Sequence, residues 1–226
     1  MRLTPRDIKV VRDVVLSHVL SRDQVVSLGY FGSYSRANVR LKLLADRKFL
    51  RVITTPFFGQ HLYAAGSRAA DVAGDRISGM IGFHETPQFI RHALAVTDIR
   101  VACAVKLSAR WLFERQVRDS FSFGGRIHEV RPDGVLLSDK SVTFLEADLG
   151  HVSAGRFAKK IQSYQHYVSS GAYADAFPER TPNLLTVTTG LLRQSHLLSL
   201  TSDRAAPRLR VTTFSELGIC LPGGWS

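Results

Sequence analysis

The chain has 226 residues, 45% of them hydrophobic and 22% charged, and 30 Lys and Arg against 19 Asp and Glu leave a formal net charge of +11. This composition excludes a disordered or fibrous chain and allows one large or two small domains, of which two are expected. No window approaches twenty uninterrupted apolar residues and the N-terminal MRLTPRDIKVVRD reaches charge early, so neither a membrane span nor a secretory signal is expected and a cytoplasmic protein is.

Thr4 and Pro5 read as the N-cap and first position of a helix that runs to about Val19, with Ile8, Val11, Val14, Val15 and Val19 at helical spacing. A short second helix fits 22–28, capped by Ser21 and closed by Gly29. A third fits 35–47, where Ala37, Leu41 and Leu44 can face inward while Arg36, Asn38, Arg40 and Lys42 stay polar. Residues 51–55, a turn at 56–59 and residues 60–64 then read as a β-hairpin.

From Gly66 to Pro87 the chain is rich in Gly, Ala, Ser and Asp, which places a domain boundary there. The stretch 89–118 is predicted as one long helix with two apolar stripes, one through Leu94, Val101 and Val105 and one through Val96, Ile99, Cys103 and Leu107, hence buried from two sides. His92 within it reads as a hydrogen-bonded structural residue. Cys103 and Cys220 stand alone, with no Cys-x-x-Cys and no His at ligand spacing, and read as buried thiols rather than a disulfide or zinc site.

The second half alternates. Residues 126–138 and 141–150 read as strands joined around Asp139-Lys140, followed by a helix over 153–169, a strand over 183–189, a helix over 191–200 and a strand over 208–213. The predicted class is therefore α+β, a helical N-terminal domain over 1–75, a linker over 76–87 and an α/β domain with a mixed sheet over 88–226. No phosphate-binding loop, dinucleotide fingerprint or Gly-x-Ser-x-Gly elbow occurs, which removes support for an NTPase, a nicotinamide enzyme and a serine hydrolase.

Chemistry concentrates in the acids of this second half. Asp133 begins one strand and Glu146-Ala147-Asp148 ends its neighbour; side chains alternate along a strand, so Glu146 and Asp148 share a face. With Asp133 beside them they would repel one another and hold their protons more tightly unless a cation neutralised them. A hard divalent ion, Mg²⁺ or Mn²⁺, with Asp133, Glu146 and Asp148 as ligands, is one solution. Surface ion pairs with Arg126, Arg131 or Lys140 are the other.

The three helices and hairpin resemble a winged helix-turn-helix. That resemblance implies that Ser35, Arg36, Asn38 and Arg40, with Lys42 beside them, read double-stranded DNA. The excess of positive charge suits such a partner, with a protein-docking module as the alternative. Pro132-Asp133 followed by Glu-x-Asp at a strand end resembles the PD-(D/E)XK nuclease superfamily, whose next residue is usually Lys; here it is Asp148. The resemblance implies a lysine from the following helix instead. Phe157, Ile161, Tyr164 and Val168 define the buried stripe of that helix, which puts Lys160 on its flank and Lys159 roughly opposite. Glu114, after Trp111-Leu112-Phe113, falls where the superfamily's first core helix often carries an accessory glutamate, and a surface pair with Arg110 or Arg118 is its other reading.

Over nearly the whole chain, the order of winged helix, His92 to Asp98, Trp111 to Glu114, Arg131 to Gly134, Phe144 to Asp148 and Lys160-x-x-x-Tyr164 is similar to the replication-relaxation family of bacterial plasmids and mobile elements. The resemblance implies a DNA-binding protein of replication, relaxation or mobilisation, cytoplasmic and nucleoid or plasmid associated. Asp133, Glu146, Asp148, Lys160 and Glu114 would be its catalytic residues in phosphodiester cleavage. A homodimer and other plasmid replication or mobilisation proteins are the further partners it suggests. The competing expectation is a sequence-specific regulator whose nuclease-like domain serves only for dimerisation or docking.

Overall fold

The computed structural model describes residues 3–54, 58–81, 86–105, 109–201 and 206–221, which divide into two compact units, Met1–Val101 and Ala102–Ser226. In the first unit, the local signals of the sequence set the helix starts. Thr4 accepts from the Asp7 amide and Asp7 from the Thr4 amide, a reciprocal cap that opens helix α1 (Pro5–Ser17). Ser21 and Gln24 cap α2 (Arg22–Ser27) in the same way, and Ser33 opens α3 (Tyr34–Asp46). Between the first two helices a three-residue strand, β1 (Val19–Ser21), escaped the sequence reading; His18 at φ 67° turns the chain out of α1 so that β1 pairs with β3.

The expected hairpin is β2 (Leu50–Ile53) and β3 (Leu62–Ala65), and the antiparallel sheet has the order β1-β3-β2. Residues 55–57 of the expected turn lie outside the described residues. The apolar stripes of α1 and α3 close on this sheet through Val10, Val14, Leu20, Leu41, Leu44 and Leu50, all at most 1% exposed. Two single turns, α4 (Ala70–Ala73) and α5 (Asp75–Ser78), lead to α6 (Pro87–Arg100).

Two departures from the sequence reading concern α6. It belongs to the first unit, so the expected boundary at 76–87 falls inside that unit: Gln24 Nε2 donates to the Leu94 carbonyl at 2.8 Å and to Asp98 Oδ1 at 2.7 Å, and Arg100 forks onto Asp13 at 2.6 and 3.0 Å. It is also shorter than expected. A π-helical turn, Val101–Val105, follows it, and the chain beyond is strand β4 (Arg110–Phe113), a single turn α7 (Glu114–Val117) and strand β5 (Asp119–Phe123). The apolar residues after Arg100 kept helical spacing, but the alternation Asp-Ser-Phe-Ser-Phe is a strand signal.

In the second unit β5 pairs with β6 (Arg126–Val130) in a two-stranded sheet, while β7 (Gly134–Leu137) joins the main sheet, so the single strand expected over 126–138 is two, broken at Arg131-Pro132-Asp133. Pro132 lacks the amide a continuous ladder needs. The main sheet is completed by β8 (Ser141–Asp148), β9 (Thr181–Thr188) and β10 (Arg208–Thr213), in the order β10-β9-β8-β7-β4. β8, β9 and β10 run parallel and β7 and β4 are antiparallel to their neighbours, a mixed sheet as expected. Helices α8 (Ala154–Ser169) and α10 (Leu191–Ser199) are the parallel crossovers, with a short α9 (Ala172–Ala176) between α8 and β9. Phe144, Tyr164, Tyr167, Tyr173 and Leu184 fill the layer between sheet and α8. Cys103 is buried, but Cys220 is exposed, contrary to the sequence reading, in irregular chain after the last described element. Among the described residues no helix is long and apolar enough to cross a membrane.

Gly134 is required where β7 starts: a Cβ there would stand 2.0 Å from the Trp111 ring, which lies across the strand. Gly134→Ala should therefore displace Trp111 and lower stability by about 1 to 3 kcal/mol, whereas Gly155→Ala, with open space around it, should not. Thermal melts of the two variants test this.

Candidate functional site

The break at Pro132 sets the geometry of the acidic cluster. Asp133 is pinned to β8 twice: its amide donates to the Leu145 carbonyl at 2.9 Å, and its Oδ2 accepts from the Ala147 amide at 2.8 Å. Glu146, between those two residues of β8, is 5% exposed. Tyr164 of α8 donates its hydroxyl to Glu146 Oε1 at 2.5 Å, and Lys160, one turn earlier, donates to Oε2. Lys160 and Tyr164 meet one carboxylate because residues four apart share a helix face. Lys159 is exposed.

These groups shift one another. Burial pushes the Glu146 carboxyl up to about 7; Lys160 opposes that rise and Asp133 adds to it. Burial works against the Lys160 charge, but Glu146, Asp133 and Glu114 together hold its proton well above the ordinary lysine range. The Tyr164 hydroxyl, buried and facing Glu146, stays protonated far beyond an ordinary tyrosine. Asp133 and Glu146 thus act on both Lys160 and Tyr164, and Glu114 acts on Lys160.

Two of the expected catalytic residues are placed differently from the sequence reading. Asp148 shares the face of Glu146 but is taken up by structure: Arg193 of α10 donates to it at 2.8 and 3.2 Å, the Thr188 hydroxyl at 2.9 Å and the Gly150 amide at 3.3 Å. Glu114 opens the single turn α7 rather than sitting in a long helix, and it forms an ion pair with Arg131. Neither acid takes the partner expected from sequence, since Arg193 lies 45 residues from Asp148 and only the crossover α10 brings it close. Among the described residues no group of three or more His, Cys, Asp or Glu side chains is arranged to hold a metal ion. Thr186, register partner of Glu146 on β9, has a fully buried hydroxyl with no hydrogen-bond partner.

In the first unit the exposed face of α3 carries Ser35, Arg36, Asn38 and Lys42, as expected. Arg40 does not join them. Its guanidinium forks onto Asp7, with Nε 2.6 Å from Oδ1, and the carboxylate is 1% exposed. Burial alone would raise the Asp7 carboxyl, but the Arg40 and Thr4 hydrogen bonds hold it below the usual range. Arg40 therefore ties α3 to the start of α1 and does not share the exposed face of α3. Val39, 73% exposed and missed from the sequence, stands on that face, and Tyr34 at the first position of α3 is 52% exposed. The Arg22 guanidinium lies 5.0 Å over the Tyr34 ring.

These features define a mixed α+β protein that pairs a helical unit bearing an exposed polar helix with a mixed-sheet unit bearing a buried carboxylate–lysine cluster. The replication-relaxation family matches residues 13–179, a span that takes in α3, Asp133, Glu146 and Lys160, and the chain belongs to that family. Among curated proteins nothing matches. Among solved structures the crystal structure of protein VC1899 from Vibrio cholerae is similar at 10% identity and a TM-score of 0.36. That likeness covers 96% of this chain and 55% of the other, so this chain spans about half of that protein.

Two outcomes follow from the ionic contacts. Folded Glu146 keeps its proton up to about pH 7 and the unfolded group loses it near 4.5, so between these values the folded state binds more protons and stability falls as pH rises. Glu146→Gln should remove that fall, a difference of up to about 3 kcal/mol across the window; parallel stability curves for the two proteins would show Glu146 ionised throughout. Arg40→Ala should destabilise by about 3 kcal/mol because it strands the buried Asp7 charge, and Asp7→Asn with Arg40→Ala should recover part of it in denaturant titrations.

Proposed function

We propose that the chain acts on duplex DNA, with the first unit as a winged-helix reader and the second as a PD-(D/E)XK-type nuclease domain that hydrolyses a phosphodiester at Asp133, Glu146 and Lys160. The observation that carries this reading is that Lys160 of α8 contacts the Glu146 carboxylate of β8 while Asp133, just before the neighbouring β7, acts electrostatically on both. The element order of the first unit, three helices interleaved with a β1-β3-β2 sheet, supports the winged-helix part. Family membership supports a setting in replication or relaxation.

The residues present fit a divalent ion of the Mg²⁺ kind. Such an ion is commonly held by one or two carboxylates plus waters and substrate phosphate rather than by a protein cage, and Asp133 with Glu146 offers that donor set. The raised pKa of Glu146 is the strain a cation would relieve, and the unpartnered Thr186 hydroxyl beside it could take an ordered water. When bound, the ion would supply Lewis-acid polarisation of the phosphoryl oxygen and a more acidic water.

The protein's own groups do the rest. Tyr164 fixes the orientation of Glu146, and the two contacts from β8 fix Asp133. Lys160 keeps its charge and has a side chain 40% exposed, so its ammonium can turn from Glu146 to a non-bridging phosphate oxygen and stabilise the charge that develops there. Water adds to phosphorus, the bond to the leaving sugar oxygen breaks, and that oxygen takes up the proton lost by the water. Asp148 holds β8 to α10 and has no part in this step.

One observation favours the second reading, a DNA-binding regulator with an inactive second unit: Lys160 and Arg193 already balance Glu146 and Asp148 within the chain. Supercoiled plasmid incubated with the purified protein and millimolar Mg²⁺ or Mn²⁺ separates the two. The nuclease reading expects nicking and a thermal shift with the ion, both lost in Glu146→Ala. It expects Lys160→Ala to retain the shift while the rate drops about a hundredfold or more. A wild-type protein that binds duplex DNA but neither nicks nor gains stability from either ion is the regulator.

A further inference from the structure

An exposed valine in the middle of a helix is unfavourable twice over. Its β-branch makes it a poorer helix former than the straight-chain residues, and its exposure forgoes the burial that would compensate. Val39 sits in this position on α3, 73% exposed, the most exposed large hydrophobic residue of the first unit among those described. It is also central. Ala37, Leu41 and Leu44 define the buried side of α3, and at 100° per residue the direction opposite them runs through Ser35, Val39, Lys42 and Asp46.

The two flanks of that line differ in chemistry. Toward α1, Arg36 lines a cleft of about 740 Å³ together with Arg6 and the Asp7–Arg40 pair. Toward the hairpin, Asn38 lines a cleft of about 380 Å³ with Arg22, Thr54, Gln60 and His61. Arg6, Arg36 and Arg22 therefore lie to the sides, where a duplex carries its phosphates, while the central line offers the Ser35 hydroxyl and the Val39 methyls, which border the α1-side cleft, with the Asn38 amide adjacent and Lys42, whose long side chain can reach outward to phosphate, about one turn on. Arg40, the guanidinium nearest the middle of the helix, is withdrawn onto Asp7.

In the major groove guanine is read chiefly by Arg or Lys, adenine by the amide of Asn or Gln at N6 and N7, and thymine by an apolar contact with its C5-methyl group. Resting on the DNA-binding reading above, we propose that α3 reads an A·T step: the Val39 methyls pack on a thymine C5-methyl, the Asn38 amide takes the edge of a neighbouring adenine, and Arg36 and Lys42 contact phosphate. The Asp7–Arg40 pair serves this choice by keeping a guanine-reading group out of the centre of the groove.

The test uses the full chain. Preferred duplexes are selected from a randomised library, and each thymine of the selected site is then replaced by deoxyuridine, which removes the C5-methyl and nothing else. One thymine should weaken wild-type binding about fourfold on replacement, the worth of a buried methyl-sized group. In Val39→Ala, whose exposed position leaves folding intact, deoxyuridine and thymidine duplexes should bind alike. Asn38→Ala should relax the preference at an adjacent adenine and leave the deoxyuridine effect in place. If every deoxyuridine is neutral for the wild type, if Val39→Ala keeps the discrimination, or if binding shows no sequence preference, the inference is wrong while DNA binding stands. If no duplex binds even at low salt, the DNA-binding reading fails and this inference with it.

Discussion

A carboxylate carried into the middle of a β-sheet must be compensated where it lies, and the second unit is organised around that demand at Glu146. The strand β8 that bears it has neighbours on both sides, so water cannot neutralise the charge. Compensation has to come from the crossover helix, and Lys160 and Tyr164 supply it four residues apart on one face of α8. The same helix buries Phe157, Ile161, Tyr164 and Tyr167 against the sheet. Its register on β8 is thus fixed both by apolar packing and by the ionic contact, and the two requirements agree.

The device recurs in both units. Asp148 is matched by Arg193 across the next crossover, which ties α10 to the end of β8. Asp7 is matched by Arg40 and Asp13 by Arg100, contacts that hold α3 and α6 to α1. Removing one partner of such a pair leaves a charge in a place that cannot solvate it, so each pair specifies where a helix sits more than it adds to net stability. The distinction that matters for function is accessibility. Arg193, Arg40 and Arg100 have side chains at most 19% exposed and are locked to their partners, whereas the Lys160 side chain is 40% exposed. Of these four cations it is the most exposed, which is what the proposed exchange of its carboxylate for a phosphate requires.

Much of the fold was legible in the sequence because the signals were local. Thr4-Pro5, Ser21 and the stripe Ala37, Leu41, Leu44 marked three helices, and the choice of Lys160 over Lys159 followed from the periodicity of α8 alone. The structure departs from these local signals where a residue's conformation depends on something distant. β1 is three residues long and exists only because β3 pairs with it. The helix expected to run to 118 leaves α geometry after Arg100 for the π turn Val101–Val105, and residues 110–113 are a strand because they pair with β7, far along the chain.

The sequence by itself determined the class, the starts of the first three helices and which strand and helix carry Glu146, Asp148 and the lysine, since caps and hydrophobic periods are read within a few residues. Only the tertiary structure decided which charges are spent within the protein and which face outward. Asp148 and Arg193 are 45 residues apart and Asp7 and Arg40 33 apart, and nothing local marks either pair. An ion pair is made by proximity in space, and proximity in space across such separations is fixed by sheet order and helix packing. That is why the ion pairs of Arg40 with Asp7 and of Asp148 with Arg193 appear only in the fold, while Val39, unremarkable as a letter in a helix, stands exposed at the centre of its face.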